Sequence, residues 1–203
     1  MAPQSATKAT YHHGNLESAL VDAAIGLVRK YGPDQLSLRA VSAEVGVSPS
    51  AGYHYFRDKD ALVSAIGNVL FDRLASMQEI AIAKVKGKGA PAAIKKFEEL
   101  GKAYFAWATA EPNLYRLMFG GFCEISMDDH DSKAWNLLRD VLDELVAENA
   151  MDKSVRAGGE LVVWSAVHGA SSLAIEGLLP PSNFPLVLKS IRRSLGIDEG
   201  KRK

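Results

Sequence analysis

Apolar residues recur at helical spacing along almost the whole chain, and that periodicity leaves room for little besides a bundle of helices. From Leu16 they fall at Ala19, Leu20, Ala23, Ala24, Leu27, Val28 and Tyr31, offsets of 3, 4, 7, 8, 11, 12 and 15, which is one face of an α-helix. Gly32 and Pro33 stop it, because glycine accepts the left-handed cap and proline cannot continue the ladder. A shorter helix follows, with Ser37 as N-cap, Leu38, Val41 and Val45 facing inward, and Gly46 at its end. Ser48 caps a third, with Pro49 at the first helical position where its missing N–H costs nothing, and this helix runs to Phe56.

Asp58 opens a long amphipathic helix carrying Leu62, Ile66, Val69, Leu70, Leu74, Met77, Ala81 and Val85, broken by KGKGAP at 86–91. Ile94, Phe97, Gly101, Tyr104, Phe105 and Ala108 form the next stripe, interrupted at Glu111–Pro112. NLYRLMF is a short helix ending at Gly120–Gly121, and FCEISMDDHDS reads as a loop. Trp135, Leu138, Leu142, Leu145 and Val146 mark another helix. A helix from Val155 to Leu179 ends at Pro180–Pro181, and Leu188, Ile191 and Leu195 form a last stripe. No period-2 strand and no internal repeat interrupts the series, so the fold class is all-α.

Composition narrows the function classes. A chain of 203 residues buries a core without staples. The single cysteine, Cys123, excludes an intramolecular disulfide and any site built from several thiolates. No apolar run approaches the roughly 18 residues that span a bilayer, and the first residues, MAPQSATKATYHHG, lack the apolar stretch of a signal peptide, so no membrane partner and a cytoplasmic location are expected. Lys and Arg number 24 against 24 Asp and Glu, and residues 1–60 hold six of each sign. Any affinity for DNA must therefore come from a few placed groups.

Such groups occur where the second and third helices meet. In LRAVSAEVGVSPSAGYHYF the turn at Gly46 joins two short helices with the proportions of a DNA-reading helix–turn–helix. Ala43 and Ala51 are the small residues expected to let them cross closely, with Val41, Val47 and Phe56 filling the crossing. Two short helices of this pattern also occur as ordinary bundle pieces.

YHHGNL at 11–16 and LSLRAVSAEVGVSPSAGYHYFRDKDAL at 36–62 resemble the N-terminal domain of TetR-family transcriptional regulators. EPNLYRLMFGG at 111–121 and WSAVHG at 164–169 resemble, more loosely, the ligand-binding half of a branch with a Trp-x-x-x-His-Gly element. The resemblance implies an N-terminal three-helix DNA-binding domain followed by a helical ligand-binding and dimerisation domain. The expected boundaries are a flexible arm at 1–13, the helix–turn–helix domain at 14–60, the effector and dimer domain at 61–197 and a charged tail at 198–203.

The residues fit DNA binding one by one. Ser37 and Ser48 stand at helix starts, where free N–H groups and a hydroxyl hold a phosphate as well as cap the helix. Tyr53 matches the family's phosphate-reaching tyrosine, with His54 beside it, and Lys59 matches a family lysine that contacts the DNA backbone. Arg39 reaches a base edge or a phosphate. Ser50 and Gly52 complete the expected reading surface, which is sparse because Gly52 replaces a larger residue, so specificity is expected to rest on Arg39, Pro49, His54 and DNA shape. Lys8, His12 and His13 belong to the arm beside the recognition helix.

The C-terminal half must then supply a sensor and a second subunit. Phe97, Tyr104, Trp107, Met118, Phe122, Leu138, Trp164 and His168 are the candidate lining of a cavity for a small hydrophobic or aromatic effector, with Tyr104 and His168 as polar handles. For His168 the alternative is a satisfied core histidine. Gly158, Leu161, Ala166, Ala170 and Leu173, together with Leu188, Ile191 and Leu195, are the candidate homodimer interface, two helices from each protomer; the alternative is tight packing within one chain.

DDHD at 128–131 has metal-ligand residue types but four adjacent loop residues rarely converge on one ion, and Cys123 with His130 forms no evident acid–base set. Neither a G-x-S-x-G elbow nor a phosphate-binding loop is present. No metal, cofactor or enzyme activity is expected. The expected function is a ligand-released repressor whose homodimer reads a palindromic double-stranded operator; the competing reading is a helical carrier of small molecules that has lost specific DNA binding.

Overall fold

The computed structural model describes residues 13–122 and 132–198, and among them every regular element is helical. Lys8, His12, Cys123 and the DDHD segment lie outside the described residues. The helices are α1 (His13–Tyr31), α2 (Leu38–Val45), α3 (Pro49–Tyr55), α4 (Lys59–Ala83), α5 (Gly89–Ala110), α6 (Pro112–Phe119), α7 (Lys133–Ala147), α8 (Gly159–Ile175) and α9 (Phe184–Ser194).

Local chemistry sets the first boundaries. Ser37 Oγ accepts from Ala40 N at 3.2 Å, Ser48 Oγ from Ala51 N at 3.3 Å and Asp58 Oδ1 from Ala61 N at 2.8 Å, so three successive helices each begin on a side-chain cap. Gly46 ends α2 with φ +80°, a left-handed turn that lets Val47 N reach back to Ser42 O at 2.9 Å.

The cores of the N- and C-terminal helices are continuous. Leu20, Val28, Val41, Phe56, Leu62 and Ile66 from α1 to α4 join Phe97, Leu114, Met118, Leu142 and Val167 in one buried cluster. α5 is the axis of the C-terminal half and packs against α4, α7 and α8. α4 runs unbroken through residues 60 and 61, where a domain boundary was expected, and belongs to both halves.

Several expectations change with the tertiary structure. α8 begins at Gly159, not Val155, because residues 153–155 form a separate turn and Gly158 takes φ +76°. Along α4 the inward stripe passes from Leu74 to the polar Gln78, while Met77 is exposed. The close crossing of α2 and α3 is made by Ser42 and Gly52 rather than by Ala43, which is exposed, and Ala51, which is half-buried: a Cβ on Gly52 would collide with Ser42 Oγ.

Ala170, Leu188, Ile191 and Leu195, expected at a dimer interface, are buried within the single chain. Leu188 packs over Gly101 of α5, where an added Cβ would lie 2.8 Å from its Cδ2. That stripe is the inner face of α9, so it cannot meet a second protomer.

Candidate nucleic-acid interface and internal cavity

α3 turns two faces in opposite directions. Pro49 and Tyr53, and beside them Ser50 and His54, two pairs each four residues apart, are exposed, with Tyr53 49% accessible. Gly52 is buried against α2, so it belongs to the helix crossing and not to the outer surface where it was expected. Ser37 and Arg39 are exposed at the start of α2, and Ser48 at the start of α3. Ser48 Oγ also meets Ser50 Oγ at 2.9 Å, which holds both hydroxyls at the N-terminus of α3.

Lys59 is half-buried. Its Nζ donates to Pro33 O at 3.5 Å and stands 5.8 Å from the centre of the Phe122 ring, so it ties the start of α4 to the segment between α1 and α2. The sequence did not distinguish this anchoring from an outward charge.

The C-terminal half holds a cavity of about 340 Å³. Of the candidate pocket residues, Phe97, Tyr104, Met118, Leu138, Trp164 and His168 line it. Trp107 does not: one turn beyond Tyr104 on α5, it is buried against that ring's edge with centroids 6.4 Å apart. Phe122 does not either, because it lies beneath Lys59 at the start of α4. Phe71, Leu74 and Gln78 of α4, Phe119 of α6, Trp135 of α7 and Leu188 of α9 are among the lining residues outside that expected set. Gln78 had left a signal, being the polar residue that continues the four-residue steps Leu62, Ile66, Leu70 and Leu74.

At one end of the cavity stands His168, packed by aromatic rings. Trp164 stacks on it at 4.7 Å and 23°, Tyr115 lies over it at 5.1 Å and 29°, and Phe119 meets it edge-on at 4.7 Å. Its polar atoms are taken up by the protein. Tyr104 Oη lies 2.9 Å from Nδ1, and Tyr115 Oη lies 3.1 Å from Nε2 and donates to His168 O at 3.0 Å. A neutral imidazole protonated on Nε2 satisfies this arrangement: it donates to Tyr115 Oη and accepts from Tyr104. Burial lowers the His168 pKa and raises those of Tyr104 and Tyr115, favouring the neutral form of all three.

Two elements connect this cavity with the N-terminal helices. α4 lines it through Phe71, Leu74 and Gln78, packs against α1, and supplies Leu62 and Ile66 to the same buried cluster as Leu38, Val41 and Phe56. α6 lines it through Met118 and Phe119, and its start is fastened to α1: the Arg29 guanidinium donates to both Glu111 carboxylate oxygens at 3.0 and 2.8 Å, and Asn113 Nδ2 donates to Arg29 O at 3.1 Å.

Comparison with known proteins places this arrangement. Residues 20–66 match the family model described as bacterial regulatory proteins of the tetR family, and residues 97–192 match the tetracyclin repressor-like C-terminal domain. The chain belongs to the TetR family. Its fold is likewise that of TetR-family regulators.

The HTH-type transcriptional repressor Rv1474c of Mycobacterium tuberculosis is 34% identical over 58 residues, which is 29% of this chain and 31% of that relative's length. A structure of a protein of unknown function from Rhodococcus sp. RHA1 is 28% identical with a TM-score of 0.75, covering 93% of this chain and 100% of the other. A TetR-family transcriptional regulator from Haemophilus influenzae shares the fold at 16% identity and a TM-score of 0.65, with 90% of this chain and 97% of its own covered. Among the described residues no helix is long and apolar enough to cross a membrane, and no cluster of His, Cys, Asp or Glu could hold a metal ion.

Proposed function

We propose that this TetR-family chain is a cytoplasmic, homodimeric transcriptional repressor that reads a palindromic operator and is released by a small apolar or aromatic effector. The observation that carries the reading is α4, which enters the helix–turn–helix core at one end and walls the cavity at the other.

On DNA, the exposed face of α3 enters the major groove, Ser37 and Ser48 offer hydroxyls at helix N-termini to phosphates, and Tyr53 reaches the backbone. Arg39 is an exposed cation beside them. The domain limits follow function more than chain continuity, with α1 to α3 as the reader and α5 to α9 as the sensor.

The dimer uses the outer face of α8. Val162, Ala166, Gly169 and Leu173 follow one another at steps of four, three and four, and Leu161 and Leu173 are 56% and 46% exposed. An apolar stripe with small residues between larger ones suits close approach of the same helix from a second copy. Leu161, Ala166 and Leu173, with the exposed Gly158 at its start, are the members of the expected interface that remain available.

An effector in the cavity presses on α4 and α6 together. Displacing α4 changes the separation of the two recognition helices, and displacing α6 pulls on α1 through Glu111 and Asn113. A coupling of about 1–3 kcal/mol lowers operator affinity about 5- to 150-fold.

Salt dependence tests this against the carrier reading. With Arg39 from each protomer at a phosphate and Lys59 held within its own chain, log K for DNA falls against log salt with a slope of about −2. A slope near zero, or no binding to any duplex by the folded protein, would favour the carrier.

A further inference from the structure

The aromatic end of the cavity is chemically closed, because His168, Tyr104 and Tyr115 already satisfy one another. The unsatisfied group is at the α4 side. Gln78 is only 5% exposed and its side chain lines the cavity. Its Nε2 donates to Leu100 O at 3.4 Å. A carbonyl only accepts, so this bond fixes the amide with the nitrogen toward Leu100 and leaves Oε1 as an acceptor. Oε1 has no partner among the described residues. A buried acceptor left unpaired costs about 1–3 kcal/mol, a penalty that a bound donor removes.

The rest of the lining limits what can bring that donor. No Asp, Glu, Lys or Arg is among the lining residues, so an ionised ligand would lose its hydration without gaining a counter-charge. The walls are mostly aromatic and aliphatic, with Phe97, Trp135 and Trp164 among them. A cavity of about 150 Å³ accepts benzene, so 340 Å³ accommodates about two rings. Leu100 and Tyr104 are one turn apart on α5, so the Gln78 head group and the Tyr104 ring meet the ligand from adjacent turns.

We infer that the cavity takes an uncharged one- or two-ring molecule bearing a hydrogen-bond donor, and that Gln78 Oε1 accepts from that donor and sets the preference for it. This rests on the effector reading of the cavity and names the class of effector.

The test compares three probes of one shape on the full-length protein by calorimetry: 2-naphthol, which has a donor; 2-methoxynaphthalene, which has none; and 2-naphthoate, which is charged. The naphthol binds about tenfold more tightly than the ether, and the naphthoate binds weakest. In Gln78→Leu the preference for the naphthol over the ether disappears, while the ether binds at least as well as to the native protein. Without ligand this variant melts at the same temperature or higher, since the unpaired acceptor is gone.

Equal affinity of naphthol and ether for the native protein, a result that needs no variant, overturns the role of Gln78 and leaves the effector reading intact. Tightest binding of the naphthoate overturns the uncharged class. Binding of none of the three to a folded protein that still binds DNA overturns the effector reading, and this inference with it.

Discussion

The crossing of α2 and α3 sets two opposing effects on one residue, and both can be sized. Alanine is favoured over glycine inside a helix by about 1 kcal/mol. At Gly52 its Cβ would collide with Ser42 Oγ on a fully buried side chain, and overpacking of this kind costs about 1–3 kcal/mol. Gly52→Ala is therefore expected to lose about 1 kcal/mol net.

Ser42 Oγ has no hydrogen-bond partner among the described residues, so Ser42→Ala removes an unpaired buried hydroxyl and gains about 1 kcal/mol. With that oxygen gone, an alanine at 52 meets Ser42 Cβ at 3.7 Å and Leu38 O at 3.8 Å, both ordinary contacts, and its helix preference is realised. The double variant is then about 2 kcal/mol more stable than the native chain, a coupling of about 2 kcal/mol in the cycle.

Urea unfolding followed by circular dichroism, at one fixed protein concentration because a dimer's stability depends on it, measures all four corners. A Gly52→Ala protein as stable as the native one, or a double variant no more stable than Gly52→Ala alone, would refute the reasoning. Since Gly52 faces α2, the double variant also keeps its operator preference.

Other perturbations separate the roles assigned above. Tyr53→Ala is expected to weaken binding to every duplex alike, by up to about tenfold; a changed ranking of sequences in a competition assay would show that Tyr53 reads bases. Ser48→Ala costs about 1 kcal/mol of stability through the lost cap, read as a lower urea midpoint, besides its effect on DNA. Burial holds the His168 pKa below its ordinary value, so the unfolded chain binds the proton more readily. Its contribution to stability is complete above about pH 6.5 and is lost as pH falls through the lower folded value. His168→Gln should flatten the decline in urea midpoint between about pH 6.5 and 5, and an unchanged decline would place its cause elsewhere.

The sequence made the helix starts legible because caps are local. Ser37, Ser48 and Asp58 each bond a backbone N–H three residues on, and no distant contact decides the matter. Faces were harder to read. Periodicity shows that Leu188, Ile191 and Leu195 lie on one apolar side of α9 but not whether that side meets the same chain or another, and the structure sets Leu188 on Gly101.

Gly52 was read as part of the DNA face because it lies in the middle of the recognition helix, where the family usually carries a larger residue, whereas rotation about α3 turns it toward Ser42. Six of the eight expected cavity residues line the cavity, since large aromatics in this half had few other places to go. Trp107 and Phe122 fall outside because one turn of α5 and the turn after α6 aim them elsewhere. Gln78 was overlooked although a polar side chain on a buried stripe is itself a sign of something to be bound.

The central claim is that two copies of this chain read a symmetric DNA site, and selection of bound duplexes from a randomised library at physiological salt tests it most directly. The account predicts enrichment of a palindrome whose half-sites are centred about one helical turn, or a small multiple of it, apart, with enrichment abolished in the Tyr53→Ala, Arg39→Ala double variant. Recovery of no preferred sequence by the folded native protein would contradict it.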